Sequence, residues 1–337
     1  MEKISAVLIV KNEQKVIKRC LKSVKDCDEI VVLDTGSTDR TVAIAEEMGA
    51  KVKVSEPVVP FHFANARNAA HDLASNDWIV AIDADEVLRA GMLAKIRAVM
   101  KEQATKEPFD QVSAFNITFT DRGASTRKKK IYRKSAWNWK WRVHEQLHPL
   151  GTDVKEGMLE SVVIEHLPEA DKAKRHGQNI ELLKITVKET PEYIRAWKHL
   201  GQELMLNKEF QDAIPYLAEF VEKTTEGPLE KSDVMLRIGQ CYGEIKKYEE
   251  ACRWFEMSAQ TDIRRREPLF NAGQYLMSKN PLSYGDVVQA IEFFKRCLLI
   301  PVDSKPGSHL DQAWAWGSRP KQLLRVCEDH LKKNTPG

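Results

Sequence analysis

A chain of 337 residues with 42% apolar content can bury two separate cores, and its formal net charge of +3 is too small to require a nucleic-acid partner. No charged-then-apolar leader opens it, and no apolar run approaches the ~18 residues of a membrane-spanning helix. The six cysteines (Cys20, Cys27, Cys241, Cys252, Cys297 and Cys327) lack zinc-ligand spacing, and four fall in helical patterns where buried free thiols are usual, so a reducing cytoplasm is the expected setting.

Residues 4–10 read as a buried strand, followed by Lys11-Asn12-Glu13 and a helical pattern through Val16, Ile17, Cys20, Leu21 and Val24. A second strand over 29–33 ends in Asp34-Thr35-Gly36-Ser37-Thr38-Asp39. This loop offers a glycine for a tight turn and oxygen caps for a helix over 41–48. A strand over 51–54, a helix over 63–74 and a strand over 78–82 follow. Alternation at these lengths predicts a parallel sheet covered on both faces, whose ligands sit beyond the carboxyl ends of its strands. Asn12, Glu13, Asp34 and the acids after residue 82 all fall at those ends.

The acids belong to Trp78-Ile79-Val80-Ala81-Ile82-Asp83-Ala84-Asp85-Glu86, where an apolar strand runs into carboxylates. In extended chain Asp83 and Asp85 project to one side. Two hard oxygen donors there suit Mg²⁺ or Mn²⁺ carrying a diphosphate. The plainer alternative is an acidic loop capping the next helix, just as Asn12, Glu13, Asp34 and Asp39 can each merely start or cap one. Caps, however, need not gather at one sheet edge. The chain has no Gly-x-Gly-x-x-Gly and no Gly-Lys-Ser/Thr, which removes support for a dehydrogenase-type dinucleotide site and for a phosphate loop.

After a helix that follows Leu88 and runs to about Met100, the pattern predicts strands over 111–120, 128–133, 141–147 and 159–166. Adjacent residues on a strand face opposite ways, so His144 and Glu145 cannot both enter one site unless the strand bends. His166 closes the last of these strands. The segment 122–142 carries nine basic residues and no acid, interleaved with Tyr132, Trp137, Trp139 and Trp141. It can meet DNA by phosphate contact and stacking, or form a solvated edge beside a diphosphate site.

Taken in order, Val10-Lys11-Asn12-Glu13, Val32-Leu33-Asp34-Thr35-Gly36-Ser37-Thr38-Asp39-Arg40-Thr41, Ala66-Arg67-Asn68 and Ile82-Asp83-Ala84-Asp85-Glu86 resemble family-2 glycosyltransferases of the GT-A fold. The resemblance covers roughly the first half of the chain. It implies a mixed α/β sheet with helices on both faces, a nucleotide-diphosphate sugar as donor, most often UDP-linked, and Mn²⁺ or Mg²⁺. It also implies that Asp34 contacts the base, while Val10, Asn12 and Glu13 line the nucleoside pocket. Arg67 approaches the nucleotide or its phosphates, Asp83 with Ala84 reaches the ribose or the metal, and Asp85 ligates the metal. The Val143-His144-Glu145 segment resembles one in the same enzymes, which implies Glu145 as the catalytic base, with His144 as second choice. His166 matches a late metal-ligating histidine, and the basic aromatic segment matches the edge reading better than the DNA one.

Beyond residue 171 the strand pattern stops. Leu200, Gly201, Leu204, Ala213 and Leu217 recur as Ile238, Gly239, Tyr242, Ala251 and Phe255, with Gly201 to Gly239 and Ala213 to Ala251 both 38 residues apart. With Trp197 and Phe220 these fit the tetratricopeptide positions, and a looser third copy runs from Ala272-Gly273 to Pro301, with a capping helix over 323–331. The expected organisation is a GT-A domain over 1–170, whose β-rich acceptor side spans about 108–168, and a TPR-like all-α domain over 171–337. Such an array binds protein or peptide, self-associates into a homo-oligomer, or braces its neighbour. Trp314 and Trp316 are expected in its core rather than on a sugar.

The expected activity is a metal-dependent, inverting glycosyl transfer (of the hexosyltransferase class) to a peptide, protein or saccharide acceptor. A TPR-like fusion of this kind resembles bacterial enzymes that glycosylate peptide cysteines or serines. One alternative is glycosylation of hydroxymethylated bases in DNA, phage fashion, on an extruded nucleotide; salt-sensitive DNA binding would mark it. Another is a non-catalytic TPR scaffold, which would show no metal-dependent nucleotide binding.

Overall fold

The computed structural model describes residues 2–56, 58–107, 111–169, 178–302 and 313–334. The chain divides into two compact units, 1–175 and 176–337. The expected boundary at 170/171 and the start of the acceptor-side part at 108 lie outside the described residues.

In the first unit, strand β1 (Ile4–Val10) leads through helix α1 (Ile17–Ser23) to β2 (Glu29–Asp34), and α2 (Thr41–Glu47) leads to β3 (Lys51–Val54). Helix α3 (Phe63–Asp72) then precedes β4 (Trp78–Ala81), with β5 (Glu86–Leu88) and α4 (Met92–Gln103) after it. The remaining strands are β6 (Val112–Asp121), β7 (Ala124–Arg133), β8 (Trp137–Lys140), β9 (Gln146–Pro149) and β10 (Lys155–His166). Eight form one sheet in the order β3-β2-β1-β4-β7-β6-β10-β5, and β8 pairs with β9 in a small second sheet. Pairing is parallel among β3, β2, β1 and β4, because each is joined to the next by a helix. It turns antiparallel at β4–β7 and β7–β6, giving the mixed sheet expected for the GT-A class.

The alternation of β1 shows why both faces need cover. Ile4, Ala6, Leu8 and Val10 pack into one core with Ile17, Leu21 and Trp78, while Val7 packs into another with Ile79, Ala70 and Trp139.

Two expectations need correcting, and one element was not expected. The predicted strand over 141–147 is a bend, with Trp141 and His144 at φ 79° and 54°, and only Gln146 onward is extended. The helix expected after Leu88 runs from Met92 to Gln103, and Glu86–Leu88, given no element by the sequence pattern, hydrogen-bonds along β10 as an edge strand. Strand β4 stops at Ala81, so Asp83 and Asp85 do not alternate along a strand; the Glu86 N–H donates to the Asp83 carbonyl across a turn.

In the second unit α5 (Gln178–Glu189) precedes three helix pairs: α6 (Ile194–Leu206) with α7 (Phe210–Lys223), α8 (Pro228–Glu244) with α9 (Tyr248–Thr261), and α10 (Glu267–Met277) with α11 (Tyr284–Leu299). Helices α12 (Ala313–Trp316) and α13 (Arg319–Asn334) follow. The repeated glycines mark where partner helices touch. A Cβ on Gly201 would meet Leu217 at 2.5 Å, and one on Gly239 would meet Phe255 at 2.5 Å. One on Gly273 would meet Phe294 at 2.7 Å. The array is thus TPR-like for a steric reason. Trp316 is buried with its indole N–H on Glu267, in the core role expected of it, whereas Trp314 lies against Phe270 but is 38% exposed and so is not a core residue.

Candidate active site

Parallel strands β1, β2 and β4 end at one edge, and the loops leaving them are tied together by side chains. Asn12, at φ 57°, accepts the Thr38 N–H on Oδ1 (2.8 Å) and donates its own N–H to the Ser37 hydroxyl (2.8 Å). Asparagine tolerates that left-handed backbone better than most residues. Glu13 donates its N–H to Thr41. Asp34 accepts the Gly36 and Ser37 N–H groups on Oδ1, both at 2.9 Å, while its buried Oδ2 has no partner among the described residues. A buried carboxylate oxygen left unmatched is costly, and it marks where a donor from outside the chain would be accepted. Val10 is different: its side chain is core and its carbonyl is taken by Thr35, so no part of it lines the cavity described below.

The turn after β4 sends its acids to separate partners. Asp83 Oδ1 pairs with Arg67 Nη2 at 2.9 Å, and Oδ2 with Lys130 Nζ at 3.1 Å. Lys130 also pairs with Glu86 at 2.8 Å; both side chains are nearly inaccessible, at 7% and 2% exposure. Arg67 continues the chain of charges through Nε to Glu145 Oε1 at 2.6 Å, and its guanidinium lies 4.9 Å over the Trp139 ring. Burial alone would raise the Asp83 carboxyl, but Arg67 and then Lys130 outweigh it and hold it far below the usual carboxylate range. Burial wins at Glu86, whose carboxyl is raised.

Lys130 reaches the turn because of a register shift. Ile131 pairs with Phe115 and Lys129 with Asn116, so Lys130 is the extra residue of a β-bulge. It lies just past Ile131, the last β7 residue to pair with β4, and so meets the turn that leaves β4. Sequence reasoning missed both Lys130 and Glu86 as site residues. The signal was a lysine among many, and only the bulge distinguishes it.

Asp85 and His166 are brought together, with Asp85 Oδ2 3.3 Å from His166 Nε2. The other ring nitrogen, Nδ1, lies 3.0 Å from Asp121 Oδ1, a residue that the sequence did not single out. A proton shared there would leave the Nε2 lone pair facing Asp85. Among the described residues no group of three or more His, Cys, Asp or Glu is arranged to hold an ion. Asp85 and His166 still fit as two members of a set completed by water and phosphate. Neighbouring ligands at right angles around Mg²⁺ stand about 3.0 Å apart, close to the spacing here. Asp83 is not available in the same way, since both of its oxygens are already in ion pairs.

These groups surround a cavity of about 410 Å³, within the range of small-ligand sites. Arg67 and residues 83–86 contribute to its lining with Ile9, Glu13 and Phe63; strands β6, β7 and β10 add Phe119, Asp121, Lys128 and His166. Glu145 is not part of the lining and reaches the site only through Arg67, while His144 occupies the left-handed bend beside it. The basic segment 122–142 is partly neutralised by acids of the same unit. Arg127, Lys129, Lys130 and Arg133 pair with acids, and Tyr132, Trp137 and Trp139 are buried. That takes three of the four aromatics of the DNA reading out of reach of a base, Trp141 being half-buried, and nothing in the structure supports that reading.

A mixed sheet with an acidic, arginine-containing cavity at the carboxyl ends of its parallel strands is the architecture of the GT-A class. Residues 5–149 match the family model described as Glycosyl transferase family 2, so the N-terminal unit is a domain of that family. An uncharacterized glycosyltransferase of Rickettsia felis is 51% identical over 89 residues, 26% of this chain and 30% of that protein. A TPR repeat-containing protein of Synechococcus elongatus is 44% identical over 103 residues, 30% of this chain and 25% of its own length. The SPbeta prophage-derived glycosyltransferase SunS of Bacillus subtilis is 28% identical over 226 residues, 65% of this chain and 53% of SunS. This chain therefore spans well under two thirds of each of these relatives. Among solved structures, S. aureus TarS aligns over 99% of this chain and 92% of its own at 13% identity and a TM-score of 0.42.

Proposed function

We propose that the protein transfers a sugar from a nucleotide-diphosphate donor, with UDP as the nucleotide, to a peptide, protein or saccharide acceptor, with inversion. The observation that carries this reading is the convergence of Arg67, Asp83, Asp85 and His166 on one cavity; the unmatched Asp34 Oδ2, at the end of the neighbouring strand β2, is consistent with it. Asp34 would accept an N–H of the base, and Glu13 would line the nucleoside end. Asp85 and His166 would hold Mn²⁺ or Mg²⁺, which when bound offsets charge on the leaving diphosphate. Arg67 orients Glu145 through its Nε while its other arm fixes Asp83. The acceptor's nucleophilic atom attacks the anomeric carbon opposite the diphosphate. The carbon–oxygen bond to the diphosphate breaks as the acceptor's proton leaves; Glu145, the base the family resemblance implies, stands behind Arg67 outside the cavity lining and takes that proton only from an acceptor that enters on its side.

Calorimetry with UDP, with and without Mn²⁺, tests the binding half, and a panel of nucleotide sugars scored for hydrolysis tests donor choice without an acceptor. Metal-dependent UDP binding and hydrolysis of a UDP-sugar are the expected results. Absence of any nucleotide binding would leave only the scaffold reading. UDP at 100 times its dissociation constant should stabilise the domain by about 2.7 kcal/mol, visible as a raised melting temperature.

A further inference from the structure

The cavity is crowded with negative charge. Glu13, Asp83, Asp85, Glu86 and Asp121 all line it, and a diphosphate would add more. Its cations are already committed, with one exception. Arg67 is shared between Asp83 and Glu145, and the neighbouring Lys130 between Asp83 and Glu86. Lys128 also lines the cavity, yet no ion pair to a carboxylate is formed by it among the described residues. Its ammonium sits over the Phe119 ring, 3.4 Å from the centroid, and Phe119 in turn stacks on the His166 ring at 6.0 Å. The aromatic face holds the ammonium beside Asp85 and His166 without consuming its charge.

We propose that Lys128 is the chain's own cationic contact for the donor's diphosphate, resting on the nucleotide-sugar reading above. Lys128 stands mid-strand in the β6–β7 hairpin, opposite Ile117, with its ammonium on Phe119 in the wall of the cavity. The aromatic face orients it, and an incoming phosphate would supply the direct ion pair that none of the described carboxylates makes with it. Desolvation and then the nearby Lys130 already lower the ammonium pKa, and an anion beside it would reverse that. Lys129, next in sequence, is paired with Glu156 and stacked on Trp137, so alternation along β7 separates a structural lysine from this one.

The test compares wild type with Lys128→Met, which keeps the hydrocarbon packing on Phe119, and with Lys128→Arg, which keeps the charge. Calorimetry with UDP, uridine and inorganic pyrophosphate, each with Mn²⁺, separates the diphosphate from the nucleoside. Lys128→Met should weaken UDP and pyrophosphate about 10-fold and leave uridine unchanged, the loss of one phosphate-contacting charge. Lys128→Arg should recover most of it, and the salt dependence of UDP binding should be shallower in Lys128→Met. Unchanged UDP affinity in Lys128→Met, or an equal loss for uridine, overturns the assignment while leaving the transferase reading intact. If wild type binds none of the three probes, the transferase reading fails first and this one with it.

Discussion

At the scale of single residues, the site separates groups that hold structure from groups free to act. Asp83, Lys130, Glu86, Arg67 and Glu145 form one buried ionic chain, and breaking it strands a charge. Lys130→Met should therefore cost about 3–5 kcal/mol in urea unfolding, because Glu86 is left buried and unpaired. Adding Glu86→Gln should recover part of that loss. Asp85 is less entangled; its carboxylate faces His166 and the cavity. Asp85→Asn should lower turnover by ~10²-fold or more with little change in melting temperature. Near-normal turnover of the native donor would remove Asp85 from the mechanism. That Asp85 and His166 meet was expected from the family resemblance of their motifs, and the structure brings them within 3.3 Å. Asp121 was not, since an aspartate ending a strand looks like any turn residue until His166 is seen beside it on the neighbouring strand.

At the scale of elements, two devices place the chemistry. The bulge in β7 delivers Lys130 to the turn after β4, and the left-handed bend at His144 frees Glu145 from strand alternation. Neither is visible in a hydrophobic pattern, because both break it. In the helical unit the opposite holds, and the small-residue repeat states the packing directly. Gly239→Ala should destabilise that unit by about 1–3 kcal/mol, since the added Cβ meets the Phe255 ring. Gly285→Ala, whose Cβ would find only Ser283 Oγ at 3.8 Å, should be neutral or stabilising by up to about 1 kcal/mol. Equal thermal shifts for the two variants would show that the steric account of the repeat is wrong.

At the scale of the whole molecule, pH should act mainly through buried histidines and paired acids. Burial lowers the His71 pKa, with Asp72 opposing and Lys134 assisting. The folded state thus holds His71 neutral, and its contribution to stability is full above about pH 6.5, the unfolded value. That contribution is lost as pH falls from there through the lowered folded value. His148, lowered first by burial, has the same sign. Asp83, depressed by Arg67 and Lys130, contributes in full above the unfolded carboxylate value near pH 4 and loses that contribution progressively as pH falls from there through its much lower folded value. Unfolding free energy should therefore begin to decline below about pH 6.5, and His71→Gln should flatten that limb. The six thiols are free, five of them buried, and burial raises each, to about 12 for Cys241 and Cys297, so no change near neutral pH is expected from them. Among the described residues no helix is long and apolar enough to cross a membrane.

The sequence by itself determined the division into an α/β half and a helical-repeat half, the parallel start of the sheet, and the acids at its carboxyl edge. These follow from periodicity and from residue order, which are local properties. Only the tertiary structure decided which charge meets which. Asp83 belongs to Arg67 and Lys130, Asp85 belongs to His166, and Glu145 sits behind Arg67. Ion pairing depends on side chains 16 to 81 residues apart arriving within a few ångströms, and a bulge, a bend and a short edge strand set those arrivals. None of the three has a period to read.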